Sequence, residues 1–591
     1  MSIASEITAL TADRDAIRAV LVNKGVTAAS THGFDDFADD IDSITPGDPI
    51  TITETPDSHG GTILEISTTG LDLSNDTVAP NKLLSGYTAH DASGTLITGT
   101  YVVPPITEKD VNFYDYDGTL LYSYSAEEFL TLTEIPPAPS HTGLISQGWN
   151  WTLMEAQAYV QENAYLAVGQ MYITDDNKTR FYVTFSDPAD LDLCLYFRLN
   201  GAVVVDWGDG TATQRVTGNS LSMSVSTPDH FYSTTGSYVI TLDVESGSLC
   251  FSVSSSSYSI FRHASTDYVA SGTYYNQGVK SILKKIEFGT GIASDNDTGF
   301  SGYPCLESIT IPEYFTEIGA YSFPSCSALK AVIIPHYVTS VGSNSFYACI
   351  GLEVVSMPRY CRSIGSSAFS GCTHLRVLNL PDDPDNDVRA FQYAFRNIGI
   401  KKLVIPESFF TQASGVFSQC GFLQDVTIRC DTSDSTELFA ECPSLTRVVF
   451  ANNSAPVPYR MFYNCSSLKT VVLSNALTSI SQTAFLGCIS LCGISLPNSV
   501  TTLNIGCFSS CYSLISMVIP SSVTDIGSSV FEYCYGIRAI HFSSSTPPTA
   551  AADAFSNLPN KCRIYVPTGS LSAYTSAANY PSSSTYTYIE E

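Results

Sequence analysis

Hydrophobic positions recur in one fixed frame from about residue 300 to residue 567. A phenylalanine stands three residues before a cysteine, and aliphatic residues follow three, six and eight residues after that cysteine. A unit of roughly 23 residues cannot bury its own apolar side, so such units must stack on one another. The frame predicts a solenoid over residues 285–580, with about twelve coils and one short strand in each. The predicted repeat core includes Cys326, Cys349, Cys372, Cys465, Cys488, Cys511, Cys534, Phe346, Phe369 and Phe485.

The cysteines and glycines of this region follow the same period. Ten of the 17 cysteines share one position in the frame, which favours a stack of reduced, buried thiols. The alternative is a set of disulfides between neighbouring coils, but parallel in-register side chains rarely meet the required bond geometry. An aliphatic–glycine pair, such as Val341-Gly342, follows the strand in several coils. We expect this glycine to supply the backbone freedom of a tight coil.

The N-terminal half divides into shorter segments with different periodicities. Residues 2–22 and 34–44 carry apolar residues at helical spacing, so residues 1–46 are predicted to be a helical attachment and oligomerisation segment. A three-heptad seam favours a homotrimeric stalk, and a helical hairpin with its own small core is the alternative. Short glycine-joined strands predict a small β module over 47–104. Mixed strands and helices predict an α+β module over 105–182, and a β-sandwich is predicted over 183–262.

Composition narrows the function. Charged residues make up only 14% of the chain, and the net charge of −29 argues against nucleic acid as a partner. No run of about 18 apolar residues exists, so we expect no insertion into a membrane. The first twenty residues carry acids where a signal peptide would have a basic region and an apolar core. These features favour a chain made in the cytoplasm with its cysteines reduced.

Candidate chemistry is sparse. The sequence contains no phosphate-binding glycine loop, HExxH, GxSxG or EF-hand pattern, so we expect no catalytic residue, metal site or cofactor. The acidic run 382–387 has calcium-type oxygen ligands but lacks their fixed spacing. We expect it to be a solvated loop in a lengthened coil, and calcium binding there or at Asp206 and Asp209 stays open.

The outward side of the predicted strand ladder is the main candidate for binding a partner. It presents a mixture of small polar residues, exposed Val and Ile, and a few cations, and extended repeat surfaces are the usual binding faces of solenoids. An ordinary solvated sheet face rich in β-forming residues is the alternative. The predicted partner-binding residues are Lys330, Ile333, Arg376, Asn379, Asp385, Asp387, Val449, Lys469, Val472, Arg538 and His541.

Three family resemblances follow from these motifs. The frame A-F-x-x-C-x-x-L, as in residues 368–375, resembles the BspA-type leucine-rich repeats of bacterial surface proteins, with a terminal cap near 564–574. The segment Val205-Asp206-Trp207-Gly208-Asp209, with later His-Phe-Tyr, resembles the PKD-type immunoglobulin-like sandwich, in which the motif is structural. Residues 9–18, 71–101 and 111–120 resemble modules of tail proteins from phages of gut bacteria.

Together the resemblances imply a multidomain, non-enzymatic binding protein. The favoured function is a phage tail fibre in the virion, in which the solenoid recognises a host cell-surface receptor, either a glycan or a protein. The N-terminus would then attach to other tail or baseplate proteins. The alternative is a BspA-type adhesin on the bacterial cell surface.

Overall fold

The computed structural model describes residues 108–163, 165–218, 224–251, 260–263, 279–293, 299–410, 413–451 and 456–591, together with five strands before residue 99. The chain forms two compact units, residues 1–105 and 106–591. In the first unit, β1 (Val26–Ala28) pairs in parallel with β2 (Ile50–Pro56), which forms an antiparallel pair with β3 (Thr62–Thr68). A second hairpin joins β4 (Thr88–His90) and β5 (Leu96–Thr98). The predicted helices 2–22 and 34–44 lie outside the described residues, and β1 lies between them.

The second unit begins with an α+β module, residues 108–174. It contains β6 (Val111–Tyr114), β7 (Leu120–Tyr124), α1 (Ala126–Leu130), β8 (Leu144–Trp149), α2 (Leu153–Asn163) and β9 (Leu166–Thr174), with the sheet order β7-β6-β9-β8. A capping box between Ser125 and Glu128 fixes the start of α1. All nine residues of β9 are buried. Because Leu166 and Val168 face the core of the module, the opposite side of β9 must be covered by something else.

A β-sandwich follows. Its strands are β10 (Thr179–Phe185), β11 (Asp192–Leu195), β12 (Phe197–Leu199), β13 (Ala202–Asp206), β14 (Gln214–Thr217), β15 (Ser224–Ser226), β16 (Asp229–Phe231), β17 (Gly236–Ser246), β18 (Leu249–Cys250) and β19 (Phe261–His263), with a 3₁₀ turn at Pro188–Asp190. One sheet has the order β14-β13-β17-β10, and two three-stranded sheets are centred on β11 and β12. Trp207 is buried and stacks on His230, and the hydroxyl of Tyr232 donates to the Trp207 carbonyl over 2.9 Å.

The solenoid has about 13 turns. Its elements are β20 (Leu283–Glu287), β21 (Ser308–Thr310), β22 (Glu317–Ile318), β23 (Ala331–Ile333), β24 (Ser340–Val341), β25 (Val354–Ser356), β26 (Ser363–Ile364), β27 (Val377–Leu378), β28 (Val388–Ala390), β29 (Lys402–Ile405), β30 (Phe409–Phe410), β31 (Asp425–Ile428), β32 (Arg447–Phe450), β33 (Thr470–Val472), β34 (Ser479–Ile480), β35 (Thr502–Leu503), β36 (Ser516–Ile519), β37 (Asp525–Ile526), β38 (Ala539–Phe542), β39 (Thr549–Ala550), β40 (Arg563–Val566), α3 (Leu571–Ser576) and β41 (Thr587–Glu590).

These strands form two parallel ladders. The main ladder contains β23-β25-β27, β29-β31-β32-β33 and β36-β38-β40-β41. The second ladder consists of two- and three-residue strands, such as β22-β24-β26-β28-β30. In the main ladder, neighbouring strands pair with a register offset of 22–24 residues, for example Ala331 with Val354, Asp425 with Arg447 and Ala539 with Arg563. The period of the sequence frame therefore sets the register of the sheet.

Both ends of the solenoid are covered. At the first coil, β20 pairs antiparallel with β10 of the sandwich, so the sandwich sheet continues into the main ladder. The sandwich and solenoid thus share one hydrophobic core instead of forming the separate domains expected from the sequence. At the last coil, β41 pairs with β40, and the hydroxyl of the buried Tyr574 on α3 donates to the Ser544 carbonyl over 2.8 Å. At the first coil, the pairing of β20 with β10 leaves β20 without a free edge, which protects it from edge-to-edge pairing, whereas β41 is the edge strand at the last coil.

A stack of phenylalanine rings runs through the solenoid core. Each ring lies 5.3–6.4 Å from the next between centroids, with interplanar angles of 1–17°. The stacked rings are those of Phe300, Phe323, Phe346, Phe369, Phe395, Phe417, Phe439, Phe462, Phe485, Phe508, Phe531 and Phe555.

Nine of the ten frame cysteines lie beside this stack and are fully buried, and Cys305 is half-buried. Nine of their thiols each donate a hydrogen bond, 3.1–3.4 Å long, to the phenylalanine carbonyl of the preceding coil. None of the 17 cysteines forms a disulfide. The structure therefore places every predicted core residue in the interior and gives the repeated cysteine a definite hydrogen-bonding role.

The tight turns of each coil depend on residues other than the predicted glycines. Gly342 and Gly365 do not have positive φ; instead, a Cβ on either would lie 2.4 Å from a backbone nitrogen of the preceding coil. They are needed for close approach between coils. The left-handed positions lie five residues and one residue before the cysteine, as at Asn344 and Ala348 (both φ 56°). Most of these positions carry residues other than glycine, and each such residue costs roughly 1 kcal/mol of backbone strain.

Candidate binding surface

The outward side of the main ladder was predicted to be exposed along its whole length, but its first part is covered. Ile333 retains 5% of its surface, and Val354 and Val377 retain 1% each. They pack against Tyr114, Ala167 and Met171 of the α+β module. The module thus lays the second face of β9 onto strands β23, β25 and β27. This contact explains why β9 is apolar on both faces.

The fit between the module and the ladder is close. Gly169 of β9 lies directly over Ile333, and a Cβ on Gly169 would stand 2.4 Å from the Ile333 side chain. The hydroxyl of Ser356 donates to the Ala167 carbonyl over 2.7 Å. The backbone of β9 therefore packs directly on the side chain of Ile333, as closely as atoms pack in a domain interior.

Three polar side chains of the module bind equivalent carbonyls of three successive coils. The amide of Asn150 donates to the Ile334 carbonyl over 2.9 Å. The indole N–H of Trp151 donates to the Met357 carbonyl over 2.9 Å, and the hydroxyl of Tyr159 to the Leu380 carbonyl over 2.9 Å. The three accepting residues, Ile334, Met357 and Leu380, are 23 residues apart in sequence. The three donors on the module, Asn150, Trp151 and Tyr159, are not evenly spaced in sequence. They nevertheless bind carbonyls that recur at the 23-residue period of the solenoid.

The prediction that Ile333 and Asn379 are displayed for a partner is therefore wrong. Ile333 is buried under the module, and the amide of Asn379 donates to the Met357 carbonyl over 2.8 Å in the interior. Lys330 and Arg376 stay exposed, but both form ion pairs with Glu353, and Arg376 also contacts Glu108 of the module. Ile333, Asn379, Lys330 and Arg376 thus all contact other residues of this chain in or beside the covered part of the ladder.

The acidic insertion was expected to be a solvated loop, and this is correct for only part of it. Asp385 and Asp387 are exposed. Asp383 is buried and accepts from Arg362 over 2.8 Å, and the Asp382 carboxylate accepts from Asn163 of the module over 3.2 Å. The insertion therefore joins the solenoid to the α+β module. In the described part of the chain, no group of three or more His, Cys, Asp or Glu side chains is placed to hold a metal ion.

The main ladder is open beyond strand β29. Val472 is 47% exposed and Val518 is 53% exposed, and both point outward from their strands. Ile515 beside them is 56% exposed, and Lys469 and Cys492 are also exposed. We call this surface the open strand face and define it by Lys469, Val472, Cys492, Ile515 and Val518.

The remaining predicted residues border the open strand face. Val449 is half-buried, and Arg538 is exposed. His541 stacks on Tyr565 with ring centroids 4.3 Å apart and lies 2.8 Å from the Glu591 carboxylate. His541 is therefore already engaged by the C-terminal strand pair and is a poor candidate for partner binding.

Two features of the open strand face are absent from the predicted set. Ile515 and Cys492 occupy the row that carries charged or polar residues in most other coils. The coil that contains Cys492 and Gly493 forms no strand at this position. The main ladder is therefore interrupted between β33 and β36. An apolar residue in a polar row is the signal that could have identified this site from the sequence.

No described helix is both long enough and apolar enough to cross a membrane. The open strand face is a mixed apolar and polar contact area.

Comparison with known proteins places the repeats in a family. The model of the BspA type leucine-rich repeat region matches residues 245–376, 294–424 and 432–562, more than half of the chain. No curated protein matches the sequence.

Several solved structures are similar. A leucine-rich repeat protein from Bacteroides ovatus is 22% identical, with 46% of this chain and 96% of that chain covered and a TM-score of 0.26. The pneumococcal vaccine antigen PcpA is 18% identical, with 59% and 95% covered and a TM-score of 0.36. A leucine-rich cell surface protein from Faecalibacterium prausnitzii is 22% identical, with 45% and 91% covered and a TM-score of 0.26.

The 23-residue frame, the stacked coils and the family match agree, and the chain belongs to the BspA-type leucine-rich repeat family.

Proposed function

We propose that the protein is a non-enzymatic recognition protein that binds a partner on a cell surface through the open strand face. One observation carries this proposal. The α+β module covers the first strands of the ladder, whereas Val472, Ile515 and Val518 each keep about half of their surface exposed on the later strands. Clustered apolar side chains with a polar rim are typical of protein interaction sites.

Membership of the BspA-type family favours an adhesin-like role at the bacterial cell surface. A surface that the chain does not cover with its own module is available to an external partner, and a solenoid offers it on a rigid, extended support. In this setting the sandwich and the α+β module would act as a cap and a brace, without contacts of their own to the partner.

A second candidate is a receptor-binding tail fibre of a phage, located in the virion. Three segments in the N-terminal part of the chain, residues 9–18, 71–101 and 111–120, favour it through their resemblance to phage tail proteins. The N-terminus would then join other tail or baseplate proteins, and the helical seam at 2–22 would hold a homotrimer. The open strand face would contact a host receptor in this setting as well.

Binding to intact bacteria tests the role of the open strand face. We compare the full-length protein with the double variant Val472→Glu/Val518→Glu, which places two carboxylates on the apolar centre. The matched control is Tyr337→Glu, because Tyr337 is 57% exposed and lies outside the open strand face. The proposal expects loss of cell binding in the double variant only. Unchanged binding in the double variant would overturn it.

Localisation separates the two settings. Mass spectrometry of purified phage particles and of the cell-envelope fraction from the producing culture should detect the chain in one or the other. Light scattering on the full-length chain tests the homotrimer. Detection in particles together with a trimeric mass supports the tail fibre, whereas a monomer in the envelope fraction supports the adhesin.

A further inference from the structure

A groove lies on a different part of the coils from the open strand face. It has a volume of about 440 Å³ and spans three successive coils. Its walls include Tyr463 in the first coil and Tyr512 in the third, and Gly487 lies at the centre of the second. These residues lie within two positions of the frame cysteines, and so precede the strand of each coil.

The Asn464 side chain packs against Gly487 at the centre of the groove. Gly487 has a φ of 78°, and a Cβ there would stand 2.3 Å from the Asn464 amide oxygen. The equivalent positions in the adjacent coils carry Asn464 and Ser510, which contribute an amide and a hydroxyl to the lining. In the described structure, no protein group hydrogen-bonds the side chain of either residue. These polar groups are therefore available to a ligand.

An aromatic row continues from one end of the groove. Tyr512 is 47% exposed and Tyr535 is 57% exposed, and their rings stack with centroids 5.7 Å apart. Ile489, at the same position one coil earlier, is 39% exposed. Exposed apolar residues thus occupy this position in three successive coils, whereas most earlier coils carry a small or polar residue there.

The chemistry of the lining decides between ligand classes. None of the lining residues carries a formal charge, and the protein has a net charge of −29, so an anionic ligand is disfavoured. The two walls are separated by two coil steps of about 4.8 Å each. This separation is too narrow for a helix, which is about 10–12 Å in diameter.

An extended peptide is also disfavoured. The backbone N–H groups of Asn464, Gly487 and Ser510 already donate to carbonyls of the following coils, so no free backbone row is available for strand addition. Tyrosine rings with amide and hydroxyl groups between them suit a ligand that has apolar C–H faces and many hydroxyls.

We infer that this groove is a binding site for a neutral carbohydrate, with a sugar ring seated over Gly487 between Tyr463 and Tyr512 and hydrogen-bonded by Asn464 and Ser510. The neighbouring Tyr535 extends the site along the chain of sugars. This site is separate from the open strand face and does not depend on the function proposed for it.

Affinity electrophoresis of the full-length protein tests the inference. The gels contain mannan, dextran, xylan or mixed-linkage β-glucan as neutral probes, alginate as an acidic probe and gelatin as a peptide probe. We expect at least one neutral polysaccharide to retard the protein. Retardation by none of the four, or only by alginate or gelatin, would overturn the inference.

Two variants locate the site. Tyr512→Ala removes one wall, and Gly487→Asn fills the centre with a residue that Asn464 shows to be compatible with the left-handed conformation at this position. The controls are Tyr347→Ala, at a tyrosine that is 44% exposed in another coil, and Gly371→Asn, at the equivalent glycine with a φ of 82°.

We expect both site variants to weaken binding roughly tenfold or more and both controls to bind as the unmodified protein does. Equal loss in the control variants would overturn the inference. The variant Val472→Glu/Val518→Glu should keep carbohydrate binding, which separates this result from the test of the proposed function.

Discussion

The thiol of Cys349 donates a hydrogen bond to the backbone carbonyl of Phe323, 3.1 Å away in the preceding coil. The same relationship recurs through the solenoid. It explains why cysteine is repeated at this position: the site needs a side chain that is small, apolar in surface and able to donate one hydrogen bond. Alanine lacks the donor, and valine lacks it as well.

Replacing Cys349 tests this account of the repeat. We expect Cys349→Ala to lower the free energy of unfolding by about 1–2 kcal/mol, because a buried carbonyl loses its donor and a small cavity forms. Cys492→Ala is the matched control and should change it by no more than about 0.5 kcal/mol, since Cys492 is exposed. Denaturant unfolding followed by circular dichroism measures both. Equal effects would mean that burial at this position contributes nothing.

The reactivity of the thiols should follow their burial. Cys492 is exposed, Cys194 and Cys305 are half-buried, and the remaining cysteines are buried. We expect a chromogenic disulfide reagent to modify one thiol quickly in the native protein, up to two more slowly, and all 17 only after denaturation. The Cys492→Ala variant should lose the fast phase. Rapid reaction of many thiols in the native state would contradict the buried stack.

The buried thiols also predict a loss of stability at alkaline pH. Burial raises the pKa of Cys326, Cys372 and Cys465 from the ordinary 9.0 to about 12. Above pH 9 the unfolded chain therefore releases protons that the folded chain retains, so the free energy of unfolding falls as pH rises. The upper limit is about 1.4 kcal/mol per pH unit for each thiol. Denaturant titrations between pH 8 and pH 10 measure the fall; a flat profile would contradict it.

The sequence was sufficient to predict the elements that repeat or carry local signals. The 23-residue frame located the coils, and the mixed strands and helices predicted over residues 105–182 include β6, β7, α1, β8, α2 and β9 of the structure. The frame also identified the core, because a position that recurs in successive coils must face the same environment in each. It did not identify the left-handed turn positions, since residues such as Ala348 and Tyr533 adopt that conformation without a glycine signal.

The covering of the first strands could not be predicted in the same way. Ile333 belongs to a row of β-forming residues that looks alike whether it faces water or protein. Its cover comes from Gly169 and Met171, more than 150 residues earlier in the chain. Only the burial of both faces of β9 indicates that this strand packs against a second surface. Long-range docking of this kind depends on shape, and periodicity in one segment carries no information about the shape of another.

A double-mutant cycle tests the docking of the α+β module. Gly169→Ala places a methyl group 2.4 Å from Ile333, and the backbone there does not require glycine because its φ is not positive. We expect this variant to be destabilised by about 1–3 kcal/mol. Adding Ile333→Ala should recover much of that loss, because it vacates the volume that the methyl group needs. Additive destabilisation would show that the two residues do not meet.

Cys492 offers a direct test of the central claim, that partners bind at the open strand face. A bulky polyethylene glycol maleimide attached to this native thiol would stand among Lys469, Val472 and Val518. Binding to intact bacteria is measured before and after labelling, with the Cys492→Ala variant treated identically to account for reaction at other thiols. The account predicts that labelling abolishes binding of the unmodified sequence and leaves the variant unaffected. Full binding after complete labelling of Cys492 would contradict it.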